Sequence, residues 1–162
     1  ALALQNTIQQ NEAAQQQALA GDFTAHDEKW WKNKIGELTR NAKQAPSKSE
    51  SAMYHRLINY LGLVAFMNTN YALSNGDRPH AATYLAIFRI ADPANPDCDY
   101  LNAIYNIRKG DDKQALTALA AAAGKGYTEV AQLFDNPVFN GLHGNPEFTK
   151  VITAVQTNYR SR

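Results

Sequence analysis

The sequence contains a single cysteine, Cys98, and this scarcity limits the chemistry that the chain can support. One thiol cannot form an intramolecular disulfide, and it cannot build a metal site that uses several cysteines. A free thiol fits a reducing compartment, although one buried cysteine is compatible with export as well. No charged segment followed by an apolar stretch marks a signal peptide, so the compartment stays open between the cytoplasm and the cell envelope, the latter with a signal peptide removed.

Long apolar runs and blocks of like charge are also missing. The longest apolar run is far shorter than the roughly 20 residues that cross a bilayer, so no transmembrane segment is predicted. The 16 basic and 15 acidic residues give a formal net charge of +1 and are dispersed along the chain. Because binding to nucleic acid by counterion release needs clustered Lys and Arg, a nucleic-acid partner is not predicted. Apolar residues make up 44% of the chain, as expected for a globular protein.

The motifs that usually carry chemistry are absent as well. Gly124-Lys125-Gly126 lacks the spacing of a phosphate-binding loop, and two acidic neighbours disfavour a reactive thiolate at Cys98. We therefore predict no catalytic residue, no cofactor and no metal, although a catalytic set can assemble from residues distant in sequence. The histidines lie on different predicted elements and show no His-x-x-x-His spacing: His26, His55, His80 and His143.

What the chain does contain is one pattern that occurs twice, 34 residues apart. Each copy reads as a helix, a Gly-Asp turn and a second helix. A fixed period of this length is the sequence signature of stacked helical repeats. The matching positions are Met67 with Leu101, Asn68 with Asn102, Tyr71 with Tyr105, Leu73 with Ile107, Gly76-Asp77 with Gly110-Asp111, Ala81 with Ala115, Leu85 with Leu119 and Ala86 with Ala120.

This period and these residue types resemble the tetratricopeptide repeat (TPR), in which an aromatic, a turn glycine and a small residue recur in this order. The end of the chain, with Asn136-Pro137-Val138-Phe139 and Asn145-Pro146-Glu147-Phe148, looks like the C-terminal element of many bacterial TPR-like arrays. The resemblance implies an all-α fold of antiparallel helix pairs, stacked as a short right-handed solenoid with a C-terminal cap.

Periodicity and capping residues predict the individual helices. Residues 1–44 are assigned to an N-terminal helical extension made of a Gln- and Ala-rich helix and of a second helix opened by Thr24. Residues 45–162 are assigned to the repeat domain, which starts with a long central helix over 48–74. The apolar residues of this helix recur at helical spacing, and this pattern predicts that Met67 and Tyr71 face inward. Gly76 and Gly110 are predicted to take positive φ at the two repeat turns, and Gly124 to stop the sixth helix.

The TPR resemblance implies a non-enzymatic scaffold that binds another protein or a peptide segment. In the fifth helix, Leu101, Ile104 and Tyr105 are predicted to face inward, which turns the opposite side to solvent. The predicted binding residues on that side and at the matching places of the preceding unit are Asn68, Thr69, Asp99, Asn102 and Asn106. Asparagine amides both donate to and accept from a peptide backbone, but a merely solvated helix face is the alternative.

The other function class is a structural or assembly role through homo-oligomerisation. Either Trp30 or the Gln-rich N-terminal helix would then supply the contact between copies. The same residues have a simpler interpretation, because the helical spacing assigns Trp31 to the core and the terminal helix can lean on the body of the protein.

Overall fold

The computed structural model describes all 162 residues and contains eight α-helices, one 3₁₀ helix and no strand. This confirms the predicted all-α class. None of the helices is both long and apolar enough to cross a membrane. In chain order the elements are α1 (Leu2–Asp22), α2 (Glu28–Gln44), α3 (Lys48–Ser74), α4 (Arg78–Ala91), α5 (Pro96–Arg108), α6 (Asp112–Gly124), α7 (Val130–Phe134), the 3₁₀ helix (Pro137–Leu142) and α8 (Pro146–Arg160).

Side-chain caps account for where the helices begin. The Ser47 hydroxyl accepts a hydrogen bond from the backbone N–H of Glu50 at 3.2 Å, and α3 starts where the sequence predicted. The start predicted for α2 at Thr24 is wrong. Asp27 is the cap instead, since its carboxylate accepts from the backbone N–H of Trp30 at 2.9 Å. The helix therefore begins at Glu28, after a turn that follows the end of α1.

Three helices end in the same glycine turn. Gly76, Gly110 and Gly126 have φ values of 71°, 86° and 92°, a region that favours glycine. At the first turn, Gly76 N–H donates to the carbonyl of Leu73, and the following N–H donates to that of Ala72 at 2.8 Å. This pair of hydrogen bonds is the Schellman motif, and it recurs at the turns of Gly110 and Gly126. The predicted turns at Gly76 and Gly110 are confirmed. The sixth helix ends at Gly124 as predicted, and the glycine with positive φ in the turn that follows is Gly126.

Residues 1–67 and 86–92 form one compact unit, and the boundary predicted after residue 44 falls inside it. Its α2 buries Trp31, Ile35, Leu38 and Ala42, as the helical spacing predicted. The C-terminal half of α4 runs back along α3, where the rings of Phe66 and Phe88 meet edge to face at 5.9 Å. From α1 only Ile8 and Leu19 are buried, so most of this helix's surface faces solvent.

In the first unit, α3 carries two exposed apolar side chains. Leu63 and Met67 are 58% and 59% exposed, although the sequence pattern turned Met67 inward. Further along the same helix, in the second unit, Tyr71 is 73% exposed, so its predicted inward position is wrong too. The small Ala65 is buried instead. No Asp, Glu, Lys, Arg or His occurs from Leu57 to Gly76, so the exposed surface of this stretch is uncharged.

Residues 68–85 and 93–162 form the other compact unit. Within it, α5 and α6 make an antiparallel hairpin, α6 packs on α8, and the 3₁₀ helix packs on α5 and α7. The side-chain N–H₂ of Asn158 donates to the carbonyls of Ala123 at 2.8 Å and of Tyr127 at 3.0 Å. These bonds hold the C-terminal ends of α6 and α8 side by side, so the two helices run in the same direction. Whether the helix pairs stack as a right-handed solenoid remains a prediction.

Candidate functional site

The residues predicted to bind a partner do not share one solvent-exposed face. Thr69 is fully buried and Asn106 is only 8% exposed, so the expectation that both face solvent is wrong. Asn68 and Asn102 are half-buried. The amide N–H₂ of Asn106 donates to the backbone carbonyl of Asn102 at 2.8 Å and to its side-chain oxygen at 3.2 Å. The physical reason is that α5 has α6 and the 3₁₀ helix as neighbours, which buries a wider arc that includes Ala103.

Asp99, the fifth of these residues, is engaged inside the α5–α6 hairpin. Its carboxylate lies 2.8 Å from the ammonium group of Lys125, which also donates to the carbonyl of Pro93 at 2.9 Å. Asp99 is therefore partnered within the chain rather than presented to a basic ligand. The adjacent Cys98 is buried, as expected for a small core residue. A binding role for Asn68 and Asn102 stays a prediction.

The histidines do not converge on one site. The ring of His26 lies flat on that of Trp30, with 3.7 Å between centroids, and its Nε2 is 3.4 Å from Asp22. His80 Nδ1 lies 2.6 Å from the carboxylate of Asp77. No group of three or more His, Cys, Asp or Glu side chains is placed to hold a metal ion.

A groove of about 850 Å³ runs between α6 and α8 in the second unit. Leu116 and Val151 are its largest apolar residues, and Ala120 and Ala154 lie between them. Alanine side chains project little from a helix, so large apolar groups of a ligand can approach the helix surfaces closely. The volume lies within the range of about 300–1,000 Å³ that is usual for ligand sites. The groove is thus large enough for a row of apolar side chains.

Charged residues of both signs stand at the rim of this groove. Asp112 and Lys113 lie at the N-terminal end of α6, and Glu147 and Lys150 at that of α8. The ammonium group of Lys150 is 3.0 Å from the Glu147 carboxylate. Two acidic and two basic side chains cancel, so the rim favours no strongly charged ligand. An apolar centre with a polar rim is the arrangement found in protein interfaces.

Two buried tyrosines pack against each other in the second unit. The rings of Tyr100 and Tyr127 stack with centroids 5.3 Å apart and planes inclined by 16°. Asn136 donates to the Tyr100 hydroxyl at 3.1 Å, and the Tyr127 hydroxyl donates to Gln132 at 3.0 Å. Burial, which disfavours the charged phenolate, raises the pKa of both phenols. This pair ties α5 to the segment after α6 and carries no sign of reactivity.

Sequence reasoning missed the groove, although one signal for it exists. The alanine run from Ala120 to Ala123 allows close helix approach, and the structure buries Ala122 and Ala123. The same run leaves Ala120 exposed, because successive alanines point to different sides of the helix. A second apolar stripe, formed by Leu116 and Ala120 in α6 and by Val151 and Ala154 in α8, therefore marks the groove.

No protein-family model, curated protein or solved structure matches the chain. The resemblance to TPR repeats accordingly rests on the repeated residues themselves. The functional assignment rests on the geometry of the grooves and exposed surfaces described above.

Proposed function

We propose that this chain is a non-enzymatic interaction module whose second unit binds an amphipathic helix of a partner protein in the α6/α8 groove. The observation that carries the proposal is the open apolar floor between two helices that run in the same direction. Helix-in-groove recognition uses such a site, with apolar anchors at i, i+3, i+4 and i+7 of the bound segment.

The groove favours a helical ligand over an extended one. The backbone groups of α6 and α8 bond within their own helices, so they offer no free edge to a peptide backbone. The apolar floor of the groove, formed by Leu116, Ala120, Val151 and Ala154, offers no side-chain hydrogen-bonding group. An extended peptide would therefore leave its own N–H and C=O groups unsatisfied when buried, whereas a helix satisfies them internally. The 13 residues of α6 span roughly 20 Å, enough for about four turns of a bound helix.

The test compares a groove variant with a matched surface variant. Ala154→Arg places a long charged side chain in the groove, while Ala121→Arg places one on the exposed side of α6 outside the groove. Each chain is immobilised and used to capture proteins from the source organism. We expect a protein that is retained by the wild type and by Ala121→Arg and is lost with Ala154→Arg.

The binding segment of the captured protein is then synthesised and titrated into the module. It should gain helical circular dichroism on binding, and its apolar residues should follow helical spacing. Equal retention by all three chains, or a bound segment that stays extended, would contradict the proposed function.

Self-association is a second candidate function, and the exposed part of α3 in the first unit favours it. Leu63 and Met67 are exposed on an uncharged stretch, and protein interfaces combine apolar side chains with few charges. A two-fold contact brings the same patch of both copies together, and this uncharged patch causes no charge repulsion. Trp30, the contact considered from the sequence, is half-buried and stacked on His26, so it offers less free surface.

Sedimentation at increasing concentration distinguishes this candidate. Met67→Glu should keep the chain monomeric at concentrations where the wild type associates, because a buried carboxylate without a partner is costly. Asn33→Glu, on the exposed side of α2, is the matched control and should associate like the wild type. A wild type that stays monomeric at all concentrations would remove this candidate.

A further inference from the structure

A second, smaller pocket of about 280 Å³ in the second unit is lined by Arg78, Pro79, Tyr105 and Lys109. Arg78 is the first residue of α4, and Tyr105 and Lys109 lie one helical turn apart at the end of α5. The pocket thus brings two cations and a phenol together. It shares no lining residue with the α6/α8 groove.

Neither cation of this pocket forms an ion pair. The acidic residues nearest to them in sequence are used as helix caps. Asp77 accepts from the backbone N–H of His80 at 3.3 Å and also contacts the His80 ring. Asp111 accepts from the backbone N–H of Gln114 at 3.0 Å. No carboxylate lines the pocket, so no acidic side chain competes with a ligand for direct contact with the two cations there.

We propose that this pocket binds a phosphate group. A guanidinium binds a phosphate through two parallel hydrogen bonds, and a lysine ammonium adds a point charge. The hydroxyl of Tyr105 supplies a further donor. Two positive charges match a phosphate dianion better than a singly charged carboxylate. The pocket is smaller than the usual site for a drug-sized ligand, so it fits free phosphate or one phosphorylated side chain.

The hydrogen-bond donors of this site are side chains, because the backbone N–H groups at the start of α4 are missing or already bonded. Pro79 has no N–H to offer, and the N–H of His80 is already bonded to Asp77. The N–H of Arg78 donates to the carbonyl of Gly76 at 3.1 Å. Binding of a phosphate group therefore depends on the Arg78 and Lys109 side chains, and substitution of either one should weaken it.

Titration calorimetry at low ionic strength tests the proposal with inorganic phosphate, O-phosphoserine, acetate and chloride as probes. We expect both phosphate compounds to bind and acetate to bind more weakly. Arg78→Gln and Lys109→Gln should each weaken phosphate binding roughly tenfold, as expected for the loss of one charge-assisted contact. Stronger binding of O-phosphoserine than of phosphate would identify a phosphorylated side chain as the ligand, and the reverse would identify the free anion.

Arg108→Gln is the matched control, because Arg108 is an exposed neighbour of Lys109 that does not line the pocket. Its affinity for phosphate should stay within about twofold of the wild type, since only long-range screened charge is lost. All three positions are exposed, and unchanged thermal unfolding confirms that the variants fold. The proposal is overturned if phosphate does not bind, if acetate or chloride binds equally well, or if Arg108→Gln weakens binding as much as Lys109→Gln.

Discussion

The guanidinium of Arg56 on α3 donates one hydrogen bond to each carboxylate oxygen of Glu12 on α1, and both bonds are 2.8 Å long. The hydrogen bonds from Arg56 lower the pKa of Glu12, and those to Glu12 raise the pKa of Arg56. This two-point contact adds to the apolar burial of Ile8 and Leu19 in holding α1 within the first unit.

Glu12→Gln should lower the free energy of unfolding by less than about 1 kcal/mol at neutral pH, because Arg56 is half exposed and solvent screens the pair. The pKa of Glu12 is lowered in the folded state, so the stabilisation is fully present above its ordinary value of 4.5. It is lost as the pH falls through the lower folded pKa. Urea unfolding at pH 7 and at several pH values below 4.5 follows this loss.

A double-mutant cycle with Arg56→Gln supplies the control for this prediction. The coupling between the two positions should be measurable at pH 7 and smaller at pH 3, below the ordinary pKa of Glu12. A coupling that is equal at both pH values would show that packing, rather than charge, joins these side chains.

Gly126→Ala should lower the free energy of unfolding by roughly 1–2 kcal/mol, because a side chain at φ 92° is strained even where space is open. The same change at Gly76 or Gly110 should cost a similar amount. Gly124→Ala is the matched control, since Gly124 is helical and nothing lies near its added methyl group. It should be neutral or stabilising by up to about 1 kcal/mol in urea unfolding. Equal losses at Gly124 and Gly126 would contradict the turn assignment.

Ala115→Leu should lower the free energy of unfolding by about 1–3 kcal/mol. Ala115 is fully buried in α6, where a larger side chain has no room without moving its neighbours. Ala121→Leu, on an exposed side of the same helix, should change stability by less than about 0.5 kcal/mol. Thermal and urea unfolding of both variants check the difference. A neutral Ala115→Leu would mean that the α5–α6 contact is looser than the structure shows.

Tyr127→Phe should make the protein less sensitive to alkali. The raised pKa of this buried phenol means that the unfolded chain loses the proton first, near pH 10, while the folded chain keeps it. Stability that is present below pH 10 therefore falls as the pH rises, by up to about 1.4 kcal/mol per pH unit for one such group. Removing the phenol should make this slope shallower in urea unfolding between pH 9 and pH 11.

Tyr71→Phe is the control for that measurement, because Tyr71 is exposed and its removal leaves the buried pair intact. The slope of this variant should match that of the wild type. If the two variants show the same slope, burial of Tyr127 is not the cause of the alkaline sensitivity.

Features that depend on neighbouring residues could be predicted from the sequence. Ser47, Asn95 and Gly76 act within a few residues of the helix ends they define, so their roles were visible in the pattern. The prediction of where α2 begins was wrong for a related reason. Both Thr24 and Asp27 are suitable caps, and only the length of the preceding turn chooses between them.

Features that depend on distant residues could not be predicted. An apolar helix such as α3 has more than one possible buried side, and periodicity alone did not show that Ala65 is enclosed while Met67 is exposed. The prediction that Thr69 and Asn106 face solvent was wrong for the same reason. The α6/α8 groove needs two helices separated by α7 and the 3₁₀ helix to lie side by side, and no spacing along the chain encodes that.

The hydrogen bonds of Asn158 have a consequence for the order of folding. The α5–α6 hairpin has its start at Asn95 and its turn at Gly110, so its contacts close short loops. Asn158 reaches the carbonyl of Ala123 across 35 residues, and such a contact forms later because a longer loop must close. Asn158→Ala should therefore speed unfolding while leaving the folding rate nearly unchanged. The lifetime of the folded second unit is thus set in part by one amide side chain near the end of its last helix.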